Sequence, residues 1–174
     1  MLIKVLPSQV DRYWDTLRPD LIKTLPMETR VSDTRLQNIY TSLLTGETDL
    51  WLAVDKIGPK GEWGLAAIVM TNIMYDEPTD VTSLRIYGMV SVTKAKVDPN
   101  LYRDGIDTLR KHARAKGCQQ LIAHVFPGHK RYSESLLELG GRVGSVVVQF
   151  GLGDAPPVDM PYVDESFIEE VLSA

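Results

Sequence analysis

The chain has 174 residues, 44% of them hydrophobic and 24% charged, with a formal net charge of −4. A chain of that size builds one core of its own, and its acidic balance argues against the basic face of a nucleic-acid-binding domain. One cysteine, Cys118, excludes an intrachain disulfide framework, and no apolar run is long enough to span a bilayer.

Leu2 to Leu6 reads as a short strand ended by Pro7. Ser8 then caps a helical stretch carrying Val10, Tyr13, Trp14, Leu17, Leu21 and Ile22 at i, i+3, i+4 spacing. Pro19 inside that stretch predicts a break or two consecutive short helices. Ser32 or Asp33 starts a second helix with the apolar face Leu36, Ile39, Tyr40, Leu43 and Leu44, and Gly46 stops it. The period then changes. Leu50-Trp51-Leu52-Ala53-Val54 is a near-continuous apolar run, as in a strand covered on both faces. A turn at Gly58-Pro59-Lys60-Gly61 leads to a second long strand, Trp63 to Met74, so the two form a hairpin. A loop to Thr82 follows, with the acids Asp76, Glu77 and Asp80, and then a third strand from Leu84 to Val92.

Asp98-Pro99 is a strong helix start, an N-cap acid followed by proline at the first helical position. Leu101, Gly105, Leu109 and Ala113 recur every four residues, and Gly117 ends the helix. Arg110, Lys111, Arg114 and Lys116 complement its C-terminal dipole and solvate its outer face. Cys118 follows in a position suited to a small buried residue, with no neighbouring base to activate it. Gln120 to Phe126 is a strand, Arg131 to Leu139 a short helix ended by Gly140-Gly141, and Val143 to Leu152 a final strand. A strand pair joined through a helix is parallel with a right-handed crossover, whereas hairpin-length loops make the earlier pairs antiparallel. The expected fold is α/β, a mixed central sheet with helices on both faces. Residues 1–152 form the domain and residues 153–174 a tail whose short apolar stripe, Phe167, Ile168, Val171 and Leu172, needs a surface to pack on.

The residues that can carry chemistry are few. His124 is the one histidine expected inside a core strand, with a pKa range suited to a general base. His112 is expected on a helix surface and His129 in a loop, and the three lack metal-ligand spacing, so no metal site is expected. The acidic loop can attract a cationic amine or simply be solvated.

The element order and the phrasing Leu50-Trp51-Leu52-Ala53-Val54, Tyr102-Arg103-Asp104-Gly105-Ile106 with Leu109 and Ala113-Arg114, Gly117-Cys118 and Leu139-Gly140 resemble the GNAT acetyltransferase superfamily over residues 1–152. Within it the chain looks most like divergent members encoded by bacteriophages. The resemblance implies that a turn of the form Gln/Arg-x-x-Gly-x-Gly/Ala holds the pyrophosphate of acetyl-CoA on its backbone amides, with the pantetheine arm between splayed strands. It places the cofactor at Val90, Val92, Tyr102, Arg103, Asp104, Gly105, Ile106 and Asp107. Only Gly105 matches the turn. Tyr102 replaces Gln or Arg, and the Asp107 carboxylate repels a pyrophosphate.

The Asp98-Pro99 start places Gly105 within the helix, where its amide is already bonded. Close packing against the sheet is then its expected role, against about 1 kcal/mol of helix propensity. The amides left for an anion are those of Asn100, Leu101 and Tyr102, beside Asp98. Active relatives use a tyrosine four residues before the glycine ending the following helix, and Leu136 stands there; Tyr132 lies one turn earlier. The fourth strand carries Arg85 and Tyr87 but no acid, so His124 and Tyr132 are the remaining catalytic candidates.

Two functional expectations follow. One is a non-catalytic subunit that binds other proteins, partly through residues 153–174, within an oligomeric assembly, with no cofactor, no membrane and no nucleic acid. By the phage resemblance it is made in a bacterial cytoplasm and carried in a virion, internally or at the connector or tail. The other is an active acetyl-CoA-dependent N-acetyltransferase, which requires a helix starting near Gly105 and an open cleft between splayed strands.

Overall fold

A computed structural model describes residues 1–22, 33–57, 61–93, 98, 100–123 and 130–142, with only the backbone of 130–133. The chain divides into a compact unit, Met1–Gly141, and the remainder from Arg142. The expected final strand and tail, like His124 and His129, lie outside the described residues.

Among the described residues five strands form one sheet in sequence order: β1 (Leu2–Val5), β2 (Thr48–Lys56), β3 (Trp63–Asp76), β4 (Val81–Ser91) and β5 (Gln120–Ala123). The first three pairings are antiparallel and β4 with β5 is parallel, so the sheet is mixed as expected. The helices are α1 (Val10–Leu21), α2 (Asp33–Thr45), α3 (Asn100–Ala115) and α4 (Lys130–Glu138).

The β2 run is apolar throughout because each face is covered. Val10, Leu17 and Leu21 of α1 and Ile39 and Leu43 of α2 pack with Leu50, Ile68 and Met70 on one face. Leu109 and Ala113 of α3 pack with Trp51, Val69, Leu84 and Ile86 on the other. Gly46 and Gly117 follow α2 and α3 with φ of 75° and 74°, a left-handed conformation that costs glycine nothing and ends each helix.

Two local expectations are corrected. α1 runs unbroken through Pro19. The proline sits in the last turn, so the bond it removes is one of the final ones and no further turn has to be built on it. The β3–β4 hairpin is longer than the expected loop allowed: Tyr75 pairs with Thr82 and Asp76 with Val81, and the turn closes at Asp80 in a left-handed conformation, φ 52°. Tyr75 donates its hydroxyl to Asp80 Oδ1 at 3.1 Å, which braces the tip.

Two bulges shape the sheet. Ala53 pairs with Ala67 and Val54 with Leu65, leaving Ala66 unmatched on β3. Met70 pairs with Gly88 and Thr71 with Ile86, leaving Tyr87 unmatched on β4. Such an extra residue bends the strand and reverses the alternation of its faces. The Tyr87 bulge falls where the described pairing of β4 with β5 ends, at Ile86 and Ala123.

Candidate functional site

Past that point β4 lines a narrow apolar cavity of about 60 Å³. Its walls come from β4 (Ile86, Met89, Ser91), from the small residues Ala53, Ala66 and Ala67 of β2 and β3, from α3 and from α4. The α3 wall is Leu101, Tyr102, Gly105, Ile106 and Leu109; the α4 wall is Ser135 and Leu136, with Leu139 just beyond.

The bulge decides which β4 residues face this cavity. Leu84 and Ile86 point toward α3. After Tyr87 the parity reverses, so Met89 and Ser91 point there instead, while Tyr87, Val90 and Val92 pack on the α1–α2 face. The backbone follows suit. Val92 N–H donates to Ala66 O at 3.0 Å, so by antiparallel alternation Val90 also turns its amide to β3, and Met89 and Ser91 turn theirs to the opening. Val90 and Val92, expected at the cofactor, thus lie on β4 with side chains and amides turned away from the cavity.

Asp98 controls the start of α3. Its Oδ1 accepts from Asn100 N–H at 2.8 Å and from Asn100 Nδ2 at 3.0 Å, and its carbonyl accepts from Leu101 N–H at 2.9 Å. Its own N–H donates to Asp55 Oδ2 at 2.8 Å. The N–H groups of Asp98 and Lys56 together hold the Asp55 carboxyl below the usual carboxylate range. The helix therefore begins about a turn before Gly105, and a carboxylate already occupies the place where an anion would meet its first amides.

The expected turn, Tyr102 to Asp107, is helical throughout. Tyr102 lies at the cavity mouth, 41% exposed, and Gly105 and Ile106 line the wall. Arg103, Asp104 and Asp107 are exposed on the outer face, where Asp107 Oδ1 accepts from Arg110 Nη1 at 3.2 Å. Gly105 is not there for close packing, which corrects that expectation: a Cβ on it would meet nothing within 4 Å, because the cavity lies in front of it. Leu136, where the resemblance leads one to expect a tyrosine, lines the cavity. Tyr132 falls within α4, and nothing is described of its side chain.

One cluster escaped the sequence reading. His112 is not a surface residue. Its Nε2 lies 2.9 Å from Asp49 Oδ2, its ring meets Trp51 edge-on at 4.9 Å, and Lys4 Nζ lies 2.7 Å from Asp49 Oδ1. Burial, reinforced by Lys4 and Lys116, pushes the His112 pKa below its ordinary value against the opposing pull of Asp49. Behind it the Trp51 indole N–H donates to the buried Thr71 hydroxyl at 2.9 Å. The spacing held the signal: His112 is three residues after Leu109 and one before Ala113, on the flank of the buried stripe. Arg110 was likewise more than a solvated charge, since its Nη2 donates to Leu139 O at 2.7 Å and ties α3 to the end of α4. Burial raises the Cys118 pKa, which keeps it a thiol. Among the described residues no group of His, Cys, Asp and Glu side chains can hold a metal ion, and no helix is long and apolar enough to cross a membrane.

No family model matches the sequence, and no curated protein matches it. Solved structures do match the fold. A probable acetyltransferase aligns over 90% of this chain and 99% of its own, with a TM-score of 0.62 at 12% identity. AAC(6')-Iy, an aminoglycoside N-acetyltransferase, was solved with the bisubstrate analogue CoA-S-monomethyl-acetylneamine. It aligns over 87% of this chain and 96% of its own, with a TM-score of 0.58 at 13% identity. A predicted acetyltransferase from Clostridium acetobutylicum, solved with acetyl-CoA, gives 0.56 at 10% identity over the same shares. The chain therefore has the mixed α/β fold of the GNAT acetyltransferases.

Two of these solved proteins hold coenzyme A or acetyl-CoA. The apolar cavity and the β4 edge suit an uncharged arm and acyl group. The capped start of α3 does not suit a pyrophosphate, because its first amide is bonded to a carboxylate of the chain itself.

Proposed function

We propose that this GNAT-fold protein works by binding and has lost acetyl transfer. The observation that carries the reading is the Asp98 carboxylate on Asn100 N–H, with Asp55 holding Asp98 from behind. A negative group in that place repels the diphosphate of a nucleotide cofactor, which the family resemblance would seat on those amides. Leu136 at the cavity, where a thiolate would need a proton donor, points the same way. The resemblance to phage-encoded members supplies the setting, a component of a virion or its connector or tail that meets other protein subunits. Isothermal calorimetry of the full chain with acetyl-CoA tests the reading: no saturable heat is expected at micromolar ligand, and a micromolar dissociation constant would end it.

The open cavity behind Gly105 favours a second reading, an active acetyl-CoA-dependent N-acetyltransferase. Tyr102 is then the candidate proton donor, as the tyrosine among the described residues that line the cavity. A thiol-release assay with acetyl-CoA and a panel of amines separates the two. Turnover that disappears in Tyr102→Phe would establish the second reading.

A further inference from the structure

The two halves of the site disagree in chemistry. The cavity is lined almost wholly by apolar and small side chains, and Gly105 leaves it open on the α3 side. Along its mouth Met89 and Ser91 turn backbone N–H and C=O groups toward the opening, and among the described residues no strand pairs with them there. Such an edge recognises amides in an extended chain. The start of α3, by contrast, is filled by Asp98 and backed by Asp55.

From this mismatch we infer that the cavity takes a neutral, extended, amide-bearing ligand with an apolar end, and that the chain selects against the same arm when it is joined to a diphosphate. This rests on the reading of the α3 start as closed to anions, and it reverses the order of affinity that a nucleotide-dependent transferase would show. The apolar end enters beside Gly105 and Leu136, the amides lie along Met89 and Ser91, and Asp98 meets whatever follows.

S-acetylpantetheine and acetyl-CoA are the probes, since they share acyl group and arm and differ in the phosphorylated nucleotide. Titrated into the full chain, S-acetylpantetheine is expected to bind at least about ten-fold tighter than acetyl-CoA, the scale set by one like charge at close range. Asp98→Asn keeps a good helix cap and is expected to narrow the gap by strengthening acetyl-CoA while leaving S-acetylpantetheine unchanged. Gly105→Leu fills the cavity from a helical position and is expected to abolish binding of S-acetylpantetheine, with circular dichroism confirming the fold. Failure of S-acetylpantetheine to bind overturns the inference and leaves the binding-subunit reading standing. Acetyl-CoA binding at micromolar affinity overturns both. S-acetylpantetheine binding that survives Gly105→Leu, or a gap that Asp98→Asn leaves unchanged, overturns the placement and with it the inference.

Discussion

His112 shows how much a single side chain can bind together: it joins α3 to β2 through Asp49, and through Asp49 to Lys4 of β1. An imidazole titrates near 6.5 in the unfolded chain. In the fold its pKa lies lower, so as pH falls the unfolded chain takes up the proton first. The contribution of His112 to stability is therefore complete above pH 6.5 and shrinks as pH drops from there toward the folded pKa. Urea unfolding over that range should show a steeper loss in the wild type than in His112→Gln; equal slopes would refute the assignment.

Thr71 makes a related test. Thr71→Val keeps the shape but leaves the buried Trp51 indole N–H without an acceptor, at a cost of about 1–3 kcal/mol in unfolding experiments. Gly105 should behave in the opposite sense. Gly105→Ala puts a methyl into open space on a helix, so stability should rise by about 1 kcal/mol, read as an increase in Tm. A loss would restore the packing role expected from sequence.

At the scale of elements, the helices and strands were legible where one face or both are buried. The 3.6 period of α2 and the unbroken apolar run of β2 left little choice of element, and Asp98-Pro99 marked the α3 start because a cap acid must precede the first amides. The bulge at Tyr87 was not legible. Leu84, Ile86, Val90 and Val92 fall on alternate positions, so the sequence shows no change of face between Ile86 and Val90. Nothing in an alternating pattern marks an inserted residue, since only the partner strand reveals the mismatch. The His112–Asp49 contact was hidden for a similar reason. Its two halves lie in different elements, and only the packing of α3 on the sheet brings them together. The α3 start itself carries a prediction: Asp98→Ala removes the cap, should cost about 1 kcal/mol, and should speed hydrogen exchange at Asn100 and Leu101 ahead of the rest of the helix.

For the whole molecule, the order of elements specified the fold, because a hairpin series followed by one helical crossover has few ways to close. Solved acetyltransferases share that fold at 10–13% identity, which fixes architecture and leaves activity to the site. The site combines an apolar cavity with a helix start capped by the chain's own acid. The most direct test of that account is a titration of the isotopically labelled chain with acetyl-CoA, followed at the backbone amides of Asn100 and Leu101. The account predicts that these two signals hold still through micromolar ligand, because Asp98 already engages them. Saturable shifts of both at micromolar acetyl-CoA would show a working phosphate site and contradict it.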